Sequence, residues 1–204
     1  MGLERLGPPP DGRPQPTPTA AWGVTAEKAT RAQREPKTVD ARQVCLDLLA
    51  AGPRTRQELA KALAKKGVAE DEAEQVLERF TDVGMIDDAL FAELWVSSRH
   101  RGKGLAGRAL SQELRRKGVD DDIVREAVTA LDPEQEEETA RSLVRRKLAA
   151  TRGLSTEARI RRLAGMLARK GYGPGLAFRI VKEELEAEGL DVPALDTDGL
   201  SSLG

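Results

Sequence analysis

Six residues recur almost unchanged along this chain: LAKKGV at 63–68, LRRKGV at 114–119 and LARKGY at 167–172. Their glycines, Gly67, Gly118 and Gly171, lie 51 and 53 residues apart. A short phrase repeated at nearly constant spacing requires an equivalent place in each of several equivalent units. The phrase reads as the end of a helix. Its Leu faces a core, and its basic pair sits in the last turn, where the helix dipole favours positive charge. Gly supplies the left-handed residue that closes the helix. The Val or Tyr that follows packs back as a staple for the next helix.

Helix signals surround each copy. Asp40 caps a first helix with Val44, Leu46, Leu48 and Leu49, and Gly52-Pro53 ends it. Thr55 and Glu58 form a capping box ahead of Leu59 and Leu63. A third helix carries Ala73, Val76, Leu77 and Phe80 and ends near Gly84. The order then recurs. Asp87-Asp88 opens a helix with Phe91, Leu94 and Trp95, a second runs to Leu114, and Asp120 caps a third with Val124, Ala127 and Val128. Asp132-Pro133, Ser155 and Gly173-Pro174 open the last three helices. Residues eight and nine beyond each phrase's last residue are Val76-Leu77, Ala127-Val128 and Ile180-Val181, one apolar face recurring in register. No stretch shows the period of two that a strand needs.

The pattern predicts an all-α chain, an elongated tandem array of three three-helix repeats at 38–86, 87–131 and 132–189. A single globular bundle with incidental self-similarity is the alternative. Residues 1–37 hold seven of the eleven prolines and no apolar period. They read as a disordered Pro-rich leader in which Trp22 is an incidental residue or a small docking point. Residues 190–204 read as a loose C-terminal tail. Aromatics are only 3 % of the chain, so the cores must be built from Leu, Val and Ala.

Catalytic signatures are sparse. Cys45, the one cysteine, sits on an apolar helix face and reads as packing, and a lone cysteine makes neither an internal disulfide nor a Cys-based zinc site. His100, the one histidine, lies among Arg99, Arg101 and Lys103 and reads as a surface residue. RGKGLAG, residues 101–107, is a glycine-rich basic loop without Walker spacing. Asp87-Asp88 and Asp120–Asp122 stand at helix starts, where capping accounts for them. The expectation is a non-enzymatic protein with no metal and no cofactor. No apolar run reaches 18 residues and no signal peptide is evident, so a cytoplasmic protein without a membrane span is expected, and a monomer.

Charge is more informative. The net charge is only −1, so any polyanion affinity must be local. Residues 99–117 hold seven basic side chains against Glu113, and 141–170 hold ten against Glu157. Residues 41–90 carry seven basic and ten acidic side chains. Within the basic stretches the acids that would serve as i, i+4 partners are nearly absent, and Arg outnumbers Lys. These stretches predict a surface facing a polyanion or an acidic partner, against the plainer reading of solvated helix faces. The aromatics Phe80, Phe91, Trp95 and Phe178 fall on core-facing positions, which disfavours base stacking.

The stretch IDDALFAELWVSSRHRGKGLAGRALSQELRRKGV, residues 86–119, resembles the RecX family, bacterial regulators of the RecA recombinase. The family pattern falls on Asp87, Asp88, Phe91, Ala92, Arg99, Gly104, Glu113, Leu114, Lys117 and Gly118, and the similarity extends over about residues 38–189. It implies a tandem array of three-helix repeats. It also implies binding in the helical groove of the RecA filament on single-stranded DNA, and restraint of its ATPase, strand exchange and SOS coprotease activities. The expected contact set is Arg99, Arg101, Lys103, Arg108, Arg115, Arg116 and Lys117 in the second repeat, with Arg145, Arg146, Arg159, Arg161, Arg162 and Arg169 in the third. Single-stranded DNA would be met weakly or through the filament. A stand-alone DNA-binding helical protein without sequence preference is the alternative.

Overall fold

The computed structural model describes residues 39–192. The expectations for the Pro-rich leader, Trp22 included, fall outside the described residues, as do those for the tail from 193 onward. Among the described residues there are nine α-helices and no strand. The first repeat comprises α1 (Ala41–Ala50), α2 (Arg56–Lys65) and α3 (Glu70–Asp82). The second comprises α4 (Asp88–Lys103), α5 (Gly107–Arg116) and α6 (Asp121–Thr129). The third comprises α7 (Pro133–Leu148), with a 3₁₀ turn at Ala149–Thr151, then α8 (Thr156–Arg169) and α9 (Pro174–Ala187).

Local chemistry sets these limits. Asp40, Thr55, Asp87, Asp120, Asp132 and Ser155 each accept a backbone N–H with the side chain at a helix start, and Thr55 with Glu58 completes the capping box. Each copy of the repeated phrase closes its helix in the same way. The Gly has positive φ, and the residue after it donates its N–H to the carbonyl of the phrase's own Leu: Val68 to Leu63, Val119 to Leu114, Tyr172 to Leu167, all at 3.2 Å. The glycine N–H bonds back to the carbonyl three residues earlier. This is the Schellman arrangement, whose hydrophobic partners are those same Leu and Val or Tyr side chains.

Each repeat has its own core. Leu59, Leu63, Leu77 and Phe80 lead the first, with Cys45 buried among them and its thiol pushed up by burial. Phe91, Val96, Leu110, Leu114 and Val124 form the second. The third is the largest and includes Val144, Leu163, Leu167, Tyr172, Ile180 and Leu185. Leu190 and Val192, expected in a loose tail, pack against it instead. Leu94, expected on a core face, is exposed; so is Leu90, one turn earlier on α4. Phe91 and Ala92 already orient α4, and their buried stripe continues through Val96 to His100 and leaves Leu94 outside.

Candidate functional site: inter-repeat joints and free cations

The glycine phrase does more than end a helix. Gly118 of the second repeat abuts Gln57 of α2, and Gly171 of the third abuts Ala109 of α5, so each sits on the middle helix of the preceding repeat. The carbonyl just before each glycine would be orphaned at its helix end. Instead, Thr55 Oγ1 donates to the Lys117 carbonyl at 2.7 Å, and the Ala106 N–H donates to the Lys170 carbonyl at 2.9 Å. Thr55 and Ala106 are the capping residues of α2 and α5. The two joints are therefore equivalent: the end of one middle helix seats on the start of the previous one. Gly67 of the first repeat sits on no earlier repeat among the described residues, and nothing there lies within 4 Å of where its Cβ would stand.

The joint between the first and second repeats is polar. The Lys117 ammonium donates to Glu58 at 2.7 Å, and the Arg56 N–H donates to Asp88 at 2.9 Å. Burial alone would raise the Glu58 carboxyl; Lys117 and the Thr55 N–H outweigh it and hold that carboxyl below its ordinary value. Burial raises the Asp88 carboxyl in spite of the Arg56 N–H. Beside this joint, Trp95 is half-buried and stacks on Phe91 with 5.5 Å between ring centroids. Its indole N–H donates to Glu113 at 2.9 Å. The Arg99 guanidinium lies 4.1 Å and the Lys117 ammonium 4.4 Å from the Trp95 ring centroid.

The joint between the second and third repeats is more deeply packed. Gly104, left-handed at the end of α4, meets Leu143 of the third core, which would stand 2.9 Å from a Cβ there. The Tyr172 hydroxyl donates to the Gly104 carbonyl at 3.2 Å, and the Gly107 N–H donates to Glu136 at 2.8 Å. His100 is buried here rather than exposed. Its Nδ1–H donates to the Leu105 carbonyl at 2.9 Å, and its Nε2 lies 3.0 Å from Thr139 Oγ1. Its charged sequence neighbours suggested solvent, but the helix turns its ring inward across the joint.

The expected contact set divides in two. Five of its members are engaged within the fold. Arg99 lies against Trp95 and Glu113, Arg115 pairs with Asp121 at 2.6 Å, and Lys117 holds the first joint. Arg145 is held by Glu184, itself buried, at 2.9 Å. Arg159 is the clearest correction: it is only 4 % exposed. Its Nε donates to Thr151 at 3.1 Å, and its Nη2 reaches the Leu148 carbonyl and the Glu188 carboxylate. An arginine spent on closing the end of α7 is not available to a partner. Arg141, Arg152 and Arg179 are likewise paired, to Glu137, Glu183 and Glu188. The Arg179 and Arg141 guanidinium groups hold the Glu137 carboxyl down to about 2.

The other eight, Arg101, Lys103, Arg108, Arg116, Arg146, Arg161, Arg162 and Arg169, are exposed and have no carboxylate within ion-pair distance among the described residues. Lys147, exposed and not singled out from the sequence, joins them. Lys170 is half-buried, and its ammonium donates to the Lys103 carbonyl at 2.5 Å. Burial first, then the fields of Arg146 and Lys103, push the Lys170 ammonium below its ordinary value. Lys103, Arg146 and Lys170 thus gather like charge beside the second joint, an arrangement that suits an anionic partner.

Family models match all three units. The description "RecX, first three-helix domain" matches residues 41–80, the second 87–128 and the third 134–181. The chain belongs to the RecX family. Among curated relatives, "Regulatory protein RecX" of Thermobifida fusca is 61 % identical over 152 residues, covering 74 % of this chain and 82 % of the relative. "Regulatory protein RecX" of Streptomyces coelicolor is 52 % identical over 185 residues, covering 89 % and 98 %. The crystal structure of RecX from Lactobacillus salivarius shares the fold, with a TM-score of 0.66 at 21 % identity over 70 % of this chain and 93 % of that one. The RecX motif residues carry structural duties here. Asp87 caps α4, Phe91, Ala92 and Leu114 are buried, and Gly104, Lys117 and Gly118 build the joints.

Proposed function

We propose that this RecX-family chain binds the RecA filament on single-stranded DNA, in its helical groove, and inhibits RecA ATPase, strand exchange and SOS coprotease activity. On this reading it acts as a non-enzymatic monomer in the cytoplasm. The observation that carries the reading is the sorted charge of the second and third repeats. Their inward arginines are neutralised by fold-internal glutamates, while Lys103, Arg146 and their exposed neighbours have no carboxylate partner among the described residues, in a family of regulatory proteins. An array jointed at its middle helices presents that charge over more than one repeat, which suits a long repetitive partner better than a compact one. Among the described residues no group of side chains could hold a metal ion, and no helix is long and apolar enough to cross a membrane.

The test adds the protein to RecA, ATP and single-stranded DNA, and follows ATP hydrolysis and filament length. Both should fall as the protein is added. Unchanged hydrolysis and unchanged filaments at saturating protein would reject the proposal. The eight free arginines and lysines of the expected set are the contact residues. Their replacement by alanine should weaken inhibition without lowering the melting temperature, whereas replacing the five engaged ones should do the reverse.

A further inference from the structure

The free cations are not spread evenly over the third repeat. Arg141 and Arg145 point toward α9 and its glutamates, and Arg159 is buried against Glu188. The opposite seam, between the C-terminal end of α7 and the body of α8, holds a concavity of about 240 Å³. Lys147, Arg162 and Arg169 surround it, and Leu163 and Met166 form its apolar floor. Among the described residues no carboxylate lines it. Arg162 and Arg169 stand seven residues apart on one face of α8, so they flank the floor two turns apart.

We infer that this cleft is a binding site for the phosphodiester backbone of a single nucleic-acid strand. The assignment takes its biological setting from the filament-binding reading, but it concerns direct contact with DNA rather than with protein. Its side-chain chemistry favours a phosphate over an acidic peptide. The ammonium of Lys147 and the guanidinium groups of Arg162 and Arg169 can only donate. Thr151, the other polar side chain, is committed: it donates to the Leu148 carbonyl at 2.7 Å and accepts from Arg159. A lining of donors suits a ligand that only accepts. A phosphodiester accepts and donates nothing, whereas a peptide brings N–H groups for which these side chains offer no acceptor. The floor of Leu163 and Met166 can cover the carbon edge of a sugar. With no aromatic ring in the lining, the site carries no base-stacking platform, so binding is independent of sequence.

The experiment measures binding of the full chain to fluorescent oligothymidylate, without any partner protein, across a salt series. Wild-type protein should bind, with log K falling as log salt rises. Each cation of the cleft that neutralises a phosphate contributes about −0.7 to that slope on a single strand. Arg162→Ala should therefore flatten the slope by about 0.7, and the triple variant Lys147→Ala, Arg162→Ala, Arg169→Ala by about 2. Lys65→Ala, which removes an exposed cation of the first repeat, should leave it unchanged. All four positions are exposed, so the variants keep the wild-type melt and circular dichroism. Three results overturn the inference: no wild-type binding at low salt, a triple variant that binds as wild type does, or displacement of the oligonucleotide by polyglutamate as readily as by unlabelled DNA. A parallel RecA ATPase assay separates this from the filament reading. Loss of oligonucleotide binding by the triple variant supports the cleft even if wild-type protein leaves RecA untouched.

Discussion

Alanine at Gly171 tests the joint between the second and third repeats, and alanine at Gly67 is its internal control. Both glycines close a middle helix by the same hydrogen bonds, with φ of 92° and 79°. An L-residue there costs about 1–2 kcal/mol from Cβ crowding alone, in either repeat. The two differ in their surroundings. A Cβ on Gly67 meets nothing within 4 Å, whereas one on Gly171 stands 2.5 Å from the Ala109 backbone nitrogen and 2.7 Å from its Cβ. Backbone cannot rotate away as a side-chain tip can, so the joint must open and strain the Ala106 to Lys170 bond. Overpacking of that kind adds about 1–3 kcal/mol. Gly171→Ala should therefore cost about 2–5 kcal/mol and Gly67→Ala about 1–2 kcal/mol, read from urea denaturation followed by circular dichroism. Gly118→Ala should fall between them, because its Cβ meets the Gln57 side chain, part of which can swing aside. Equal losses at Gly67 and Gly171 would refute the reasoning, since the glycine would then serve only its own helix end.

Three further outcomes are expected. Arg159→Ala should cost about 2–4 kcal/mol in thermal or chemical denaturation, because it leaves Glu188 with Arg152 alone and the Leu148 carbonyl and Thr151 hydroxyl at the end of α7 without their buried donor, while leaving filament and DNA binding at low temperature as in wild type. Glu137 gives an acid limb: its carboxyl lies at about 2 in the fold against 4.5 ordinarily, so its stabilisation is complete above about pH 4.5 and is lost as pH falls toward 2. Denaturation midpoints of Glu137→Gln should be flatter than wild type over that window. Lys117→Met should lose about 1 kcal/mol, raise the Glu58 carboxyl toward its ordinary value and change Trp95 emission, read in a Trp22→Phe background.

The nine helices were legible because their signals are local. A cap needs only a residue and its N3 neighbour, as Thr55 and Glu58 show, and a helix end needs only Gly after a basic turn. The recurring apolar face was legible for the same reason: Leu77, Ala127 and Ile180 are all buried. The second duty of the glycine phrase was not legible, since Ala109 and Gln57 lie more than sixty residues from the glycines they meet and nothing in their own neighbourhood announces the contact. His100 failed for a related reason. Its charged neighbours are exposed, yet one position on a helix decides whether a ring faces water or the next repeat, and that depends on a joint made with α7.

Charge shows the same division most clearly. Counting acids along α7 and α8 finds only Glu157 between residues 141 and 170, which makes the whole stretch look free. The neutralising carboxylates lie on the first turns of α7 and on α9, where Glu137, Glu183 and Glu184 face the arginines across the repeat, and just past α9's end, where Glu188 does the same. Pairing across helices consumes the arginines on the inner seam and cannot reach those on the outer one. The basic surface is thus smaller than the sequence count and better defined. It consists of the exposed cations that no carboxylate reaches among the described residues, and it includes Lys147, which a preference for arginine passes over. On the proposed reading, a partner that reads this chain by charge would meet the α7–α8 seam and the joint beside it, where cations without a carboxylate partner among the described residues come together.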